Sequence, residues 1–188
     1  TWDNATSLTS NLLRGVTFGN NTFVGVGMSG IIVRSTDNGS SFDNVTSDPA
    51  ITQHLYGVTF GNNTFVVCGS NGTIVRSTDN GTNWDDATVP ATLSSYRVWG
   101  AGFGNNTFVG TTHNGHIMRS TDNGSSFEYV TSTQVLLSKV CHLKSVSFGN
   151  NAFVLVCTGG DILRSTDNGE TWDSVNSGTT KDLRGVVF

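Results

Sequence analysis

Four aspartates recur through this chain at near-constant spacing. Asp37, Asp79, Asp122 and Asp167 are 42, 43 and 45 residues apart, each inside the run Ser-Thr-Asp-Asn-Gly. A carboxylate can act as a general acid or base, or hold a cation, but such chemistry needs one positioned group. A residue needed once has no reason to recur in every unit. A turn role accounts for all four together: the carboxylate accepts backbone amides across its own turn, and Gly39, Gly81, Gly124 and Gly169 take the left-handed position that follows. The aromatic closing each run, Phe42, Trp84, Phe127 or Trp172, is then expected to pack between units.

The remaining reactive side chains are few. Glu128 and Glu170 are the two glutamates, and both follow an aspartate turn on what should be an outer strand. Four of the seven arginines, Arg34, Arg76, Arg119 and Arg164, stand immediately before the Ser-Thr-Asp-Asn-Gly run and read as scaffold, leaving Arg14, Arg97 and Arg184. His113, His116, Cys141 and His142 lie close enough in sequence to suggest a soft-metal site, yet their spacing matches no zinc pattern. Surface or packing roles are expected for them, with no metal and no cofactor.

A different row is more informative. Arg14, Tyr56, Trp99, Lys144 and Arg184 each follow the leading Leu or Val of a repeated strand, so they should share one rim of the fold. Cations beside aromatics there suit either a binding surface or cation–π packing that fills a central channel. With His113, these residues are the candidate binding set.

The elements that must position them follow from the repeat. Phe-Gly-Asn-Asn begins at Phe18, Phe60, Phe103 and Phe148 and keeps the same spacing as the aspartate turns, which divides the chain into units of roughly 12–54, 55–97, 98–142 and 143–182. Within the first unit, Leu13 to Phe18 runs into a Gly-Asn-Asn turn, Thr22 to Val26 and Ile31 to Thr36 are β-branched, and Ser41 to Val45 alternates as an exposed edge strand would. Nothing has helical periodicity. Four short antiparallel strands per unit make an all-β fold of propeller blades in preference to a solenoid or a sandwich.

The run Ser-Thr-Asp-Asn-Gly-x-x-Phe/Trp, present four times, resembles the Asp box, also called the bacterial neuraminidase repeat. With Phe-Gly-Asn-Asn-x-Phe-Val, the chain looks most like the non-catalytic propellers of the photosystem II stability and assembly factor group. The resemblance covers nearly the whole chain and implies a structural hairpin at each box and a single propeller domain over residues 1–188. Sialidases share the box, and a sialidase-class hydrolase or a fragment of one is the alternative it raises. That chemistry needs three arginines and a tyrosine–glutamate pair, and Arg14, Arg97 and Arg184 have no evident pair of that kind.

Composition narrows the partners. A net charge of -4 with three lysines gives no basic field for nucleic acid, and no apolar run is long enough to span a membrane. Three cysteines, Cys68, Cys141 and Cys157, make no disulfide framework, although one pair can form. Sequons at Asn4, Asn20, Asn38, Asn44, Asn62, Asn71, Asn80, Asn105 and Asn123 favour an extracellular glycoprotein, while Asn at the same places also suits left-handed turns.

The turns Phe-Gly-Asn-Asn and Asp-Asn-Gly vary little, whereas the opposite face carries turns and connections that differ from unit to unit. That variable face is where a glycan or protein ligand is expected. Finally, residues 1–6 match an outer strand and 183–188 match an inner one. They supply two strands of a further blade without the two between. The expectation is a longer chain with further blades, or copies of the chain completing one another's sheets.

Overall fold

The computed structural model describes residues 4–45, 50–130 and 142–188. Among the described residues seventeen strands form four sheets arranged as propeller blades, antiparallel except where β1 joins the first. The first blade is β2 (Leu13–Gly19), β3 (Thr22–Gly27), β4 (Ile32–Ser35) and β5 (Ser41–Val45), with β1 (Thr6–Ser7) added at its outer edge. The second is β6 (Leu55–Gly61), β7 (Thr64–Gly69), β8 (Ile74–Ser77) and β9 (Asp85–Asp86). The third is β10 (Val98–Gly104), β11 (Thr107–Thr112), β12 (Ile117–Ser120) and β13 (Glu128–Tyr129). The fourth is β14 (Leu143–Gly149), β15 (Ala152–Cys157), β16 (Ile162–Ser165) and β17 (Asp173–Val175). Among the described residues no helix is long and apolar enough to cross a membrane.

Each blade is strung in sequence order because its hairpins are built from residues that tolerate left-handed backbone. Both asparagines of every Asn-Asn turn have positive φ, from 46° at Asn20 to 57° at Asn151. In the aspartate turns, Asn38, Asn80, Asn123 and Asn168 do the same, each followed by a left-handed glycine.

The core lies between sheets rather than within one. Val24, Val26 and Ile32 of the first blade pack on Leu55, Phe65, Val67, Val75 and Trp84 of the second. Val66, Cys68 and Ile74 of the second pack on Val98, Phe108, Met118 and Phe127 of the third, and Val109 and Ile117 of the third on Phe153, Leu155, Leu163 and Trp172 of the fourth. Successive residues of a middle strand point to opposite faces, so Val66 and Val67 serve different interfaces. Both faces must therefore be apolar, which is why β7 and β11 are buried along their whole length.

Inner strands approach so closely that side chains are excluded. A Cβ on Gly19, Gly61 or Gly104 would lie 2.1, 2.0 or 2.0 Å from the ring of Phe60, Phe103 or Phe148 of the next blade. The phenylalanine and glycine of Phe-Gly-Asn-Asn are thus partners across a blade boundary.

Each aspartate is saturated by its own turn. Asp122 accepts the Ser120 hydroxyl at 2.8 Å, the Ser126 amide at 3.0 Å and the Ser126 hydroxyl at 2.6 Å, and the Ser120 hydroxyl in turn accepts the Gly124 amide at 2.9 Å. Asp37, Asp79 and Asp167 repeat the pattern. The arginine ahead of each run reaches forward to the following turn: Arg34 donates to the Asn80 carbonyl at 2.6 Å, Arg76 to Asn123 at 3.3 Å and Arg119 to Asn168 at 2.9 Å. These arginines clamp one blade to the next.

The blades form an arc whose inner strands neighbour in the order β2, β6, β10, β14. Before the first blade, Thr6 pairs in parallel with Ser41, and its amide donates to the Ser40 carbonyl. Thr88 does the same to Ser126 and Ser125, so the segment around Thr6 lies along the first blade as the segment around Thr88 lies along the third. After the fourth, the Phe188 ring lies over Gly149 as Phe60 lies over Gly19. Residues 183–188 thus occupy the place of an inner strand, and among the described residues no strand pairs with them.

Candidate functional site

The site candidates gather where the inner strands begin. In every blade the pairing of the first two strands slips by one residue, between Leu13 and Gly15, Leu55 and Gly57, Val98 and Gly100, and Leu143 and Ser145. The extra residues of these bulges are Arg14, Tyr56, Trp99 and Lys144. A bulge re-aims the side chain it carries, and here it turns four unlike residues onto one rim.

The four form a continuous stack. The Arg14 guanidinium lies 5.9 Å from the centre of the Tyr56 ring, Tyr56 and Trp99 are 4.6 Å apart centre to centre, and the Lys144 ammonium lies 4.4 Å from the centre of Trp99. Two rings are thus held between two cations. Arg14 also donates to the Met28 thioether at 3.4 Å, which ties the row to the neighbouring turn. The Trp99 indole Nε1 is buried and has no acceptor. Arg184, expected in the same row, is not in the stack: its side chain is 81% exposed and pairs with Asp182 at 3.7 Å.

Beside the stack lies a set of rings that the sequence only half revealed. His113 stacks on His142 with centres 5.9 Å apart and an interplanar angle of 10°, and His142 Nδ1 hydrogen-bonds the His113 carbonyl. Tyr96 meets both His113 and His116, and His116 Nδ1 lies 3.1 Å from the Tyr129 hydroxyl. Partial burial, then the neighbouring His142 and Arg97, holds His113 below the usual histidine range, and burial does the same to His116. His54 belongs to the same rim one blade back, where its Nδ1 accepts the Ser29 amide at 3.0 Å. Tyr96, Tyr129 and His54 carried no repeat signal and were missed. The cue available for the bulges was a large residue before glycine at the head of a strand, as in Arg14-Gly15, Tyr56-Gly57 and Trp99-Gly100.

The soft-metal reading gains no support: among the described residues no three His, Cys, Asp or Glu are gathered as a metal requires, and Cys141 lies outside them. Cys157 is disulfide-bonded, whereas Cys68 is a buried free thiol.

The opposite face is a lattice of turns. Asn20 donates to Asn63 at 3.3 Å, Asn62 to Asn123 at 3.1 Å and Asn105 to Asn168 at 2.6 Å, each across a blade boundary. Of the sequons, Asn4, Asn20, Asn38, Asn44, Asn62, Asn71 and Asn105 are exposed. Asn80 and Asn123 are built into interfaces instead: the Asn80 Oδ1 is buried, and Asn123 donates to the Thr64 hydroxyl at 2.6 Å while accepting from Asn62. Their carboxamides are therefore poorly placed for a glycan.

No protein-family model matches the chain, and no curated protein matches it. Solved structures do. The chain is similar to YCF48 from Cyanidioschyzon merolae, with 19% identity, a TM-score of 0.70, and coverage of 96% of this chain and 61% of that one. It is similar to YCF48 bound to D1 peptide, with 19% identity, a TM-score of 0.73, and coverage of 100% and 60%. An ancestral GH74 enzyme matches with 16% identity and a TM-score of 0.71 over 95% of this chain and 27% of the other. The chain thus spans about 60% of the length of the YCF48 structures. At these identities the likeness establishes the fold, a β-propeller.

Proposed function

We propose that this chain is a non-enzymatic binding propeller that takes a polypeptide segment bearing carboxylate groups on the rim formed by Arg14, Tyr56, Trp99 and Lys144. The carrying observation is the row itself: two rings in contact, tilted 36° to one another, provide an apolar surface, and the cations at its ends supply charge for an acidic residue or a free C-terminus. Four of the chain's ten basic residues stand in front of the aspartate turns, and of the other six the rim holds two, Arg14 and Lys144, on a protein of net charge -4. One similar structure, YCF48, is bound to a D1 peptide, which supports polypeptide as the ligand class.

A hydrolase has less behind it. The aspartates are spent within their turns, and Glu128 pairs with Arg119 at 2.7 Å on an outer strand, away from the rim. An extracellular site of action belongs to the same proposal, supported by the exposed sequons. Glycans are the competing ligand class, since a ring platform also accepts a sugar face.

The test is an array of peptides graded from acidic to basic, run beside a glycan array against the full chain. Binding of acidic peptides that is lost in Trp99→Ala and in Lys144→Glu supports the reading. Preference for glycans, or acidic-peptide binding untouched by both substitutions, overturns it.

A further inference from the structure

We infer that Asn114 is a site of spontaneous deamidation, closing on the amide of Gly115, and that the fold shields the other five Asn-Gly pairs from the same reaction. Those pairs are Asn38-Gly39, Asn71-Gly72, Asn80-Gly81, Asn123-Gly124 and Asn168-Gly169. In an Asn-Gly pair the glycine has no Cβ to hold its amide away from the asparagine carboxamide, so the sequence alone marks all six as susceptible. The glycine nitrogen attacks the side-chain Cγ, its proton passes to water, and the Cγ–N bond of the carboxamide breaks with release of ammonia. Water then adds to either carbonyl of the cyclic imide and leaves aspartate or isoaspartate. Nothing is oxidised or reduced; the net change is one amide hydrolysed.

Attack needs a glycine amide that can leave its hydrogen bond. In the four aspartate turns that amide is held by the serine hydroxyl at the head of the run: Gly39 donates to Ser35 at 3.0 Å, Gly81 to Ser77 at 2.8 Å, and Gly124 to Ser120 and Gly169 to Ser165 at 2.9 Å each. Gly72 donates to the Tyr96 carbonyl at 2.6 Å. Gly115 is the exception, its amide 3.4 Å from the Thr112 carbonyl and so at the weak limit of such a bond.

Ring closure also rotates the asparagine backbone and swings its carboxamide, and here too Asn114 is the least restrained. The other five asparagines are set at positive φ, from 55° at Asn71 to 64° at Asn80, in tight turns with a left-handed glycine; Asn114 is not in that region. Three of the five side chains are pinned as well, since the Asn80 Oδ1 is buried, Asn123 bonds both Asn62 and Thr64, and Asn168 accepts from Asn105. The half-buried Asn114 carboxamide has no hydrogen bond among the described residues. Its product is a carboxylate in the turn between β11 and β12, one residue from His113, which lies within the electrostatic reach of Arg97 and Lys144. Negative charge arriving there offsets the Lys144 end of the rim. This consequence rests on the binding reading of the rim; the modification does not.

Incubation of the full folded chain at mildly alkaline pH, followed by digestion and mass mapping, tests it. The peptide carrying Asn114 should convert about ten times faster than any peptide carrying one of the other five pairs. In urea the protection is gone, and the six rates should fall within about fivefold of one another. Ser35→Ala, which frees the Gly39 amide, should bring Asn38 towards the rate of Asn114, and Asn114→Gln should leave a chain that ages slowly. An Asn114 peptide that converts no faster than the other five in the folded chain overturns the inference. In a parallel arm, Asn114→Asp should weaken capture of an acidic peptide about threefold; undiminished binding would remove the link to the rim. Failure of the unsubstituted chain to bind any acidic peptide counts against the rim reading alone, because the mass map decides the modification.

Discussion

The Lys144 ammonium sits 4.4 Å from the centre of the Trp99 ring, and Trp99 is held from its other side by Tyr56. Lys144 and Trp99 come from inner strands of adjacent blades, so their contact bridges a blade boundary at the rim. Removing either should cost stability as well as binding. A double-mutant cycle with Lys144→Met and Trp99→Leu, followed by urea unfolding, should give a coupling energy of about 0.5–2 kcal/mol. Additive losses would mean the two side chains are merely neighbours.

Gly61 has no room for a side chain, since a Cβ there would lie 2.0 Å from the Phe103 ring. Gly61→Ala should destabilise by about 1–3 kcal/mol, because it drives apart two inner strands packed at the narrowest part of the fold. Phe103→Ala is itself destabilising, yet the double variant should be more stable than the two losses summed. Thermal unfolding of the four proteins measures this.

The aspartate turns set the acid limit of the fold. The hydroxyl and then the amide of Ser41, with the Ser35 hydroxyl, hold Asp37 down at about 2, against an ordinary 3.8. At Asp79, Asp122 and Asp167 partial burial pushes upward, but hydrogen bonds from the same turn positions outweigh it and leave each below its ordinary value. A carboxylate whose pKa is depressed on folding stabilises the fold above its unfolded pKa and loses that contribution as pH falls through the folded value. The aspartate contribution should therefore hold from neutral pH down to about pH 4 and drop steeply towards pH 2, on top of the loss that the depressed His113 and His116 bring as pH falls below the usual histidine range. Asp122→Ala, which strands the Ser126 amide and both hydroxyls, should cost about 1–3 kcal/mol at neutral pH and make the acid transition shallower. Circular dichroism across that range checks both.

Cys68 is a fully buried thiol on β7, its Sγ 3.5 Å from the Gly57 carbonyl, and burial pushes its pKa up to about 12. It should resist thiol-directed reagents in the native protein and react on unfolding, with the labelling rate reporting opening of the second interface. Fast labelling of Cys68 under native conditions would contradict the packing described between the second and third blades.

Much of the fold was legible because each repeat writes the same local instructions. Asn-Asn and Asn-Gly demand left-handed turns, the β-branched runs between them demand strands, and four such strands per unit leave no place for a helix. Phe42, Trp84, Phe127 and Trp172 were expected between blades. Trp84, Phe127 and Trp172 are buried there, while Phe42 is half-buried, with no blade packed on its outer side among the described residues.

The site was less legible for a specific reason. Arg14, Tyr56, Trp99 and Lys144 could be placed in one row by register, but that they form a stack depends on a bulge in each inner strand and on the distance between blades, neither of which any single unit encodes. Arg184 shares the register and not the stack, since among the described residues no strand pairs with residues 183–188 to create the bulge. The arginines before the aspartate turns were recognised as scaffold, yet their reach into the following blade is a relation between repeats. Tyr96 and Tyr129 lie in segments that differ between units, so only the folded chain brings them to His113 and His116.

Binding of acidic polypeptide on the rim of Arg14, Tyr56, Trp99 and Lys144 can be read residue by residue. The most direct measurement is a backbone amide chemical-shift titration of the full chain with a short peptide of glutamate, proline and tyrosine ending in a free carboxylate. Shifts should concentrate at Arg14, Tyr56, Trp99 and Lys144, with Asn20, Asn62 and Asn105 on the opposite face unmoved. Shifts confined to that opposite face, or none at saturating peptide, would contradict it.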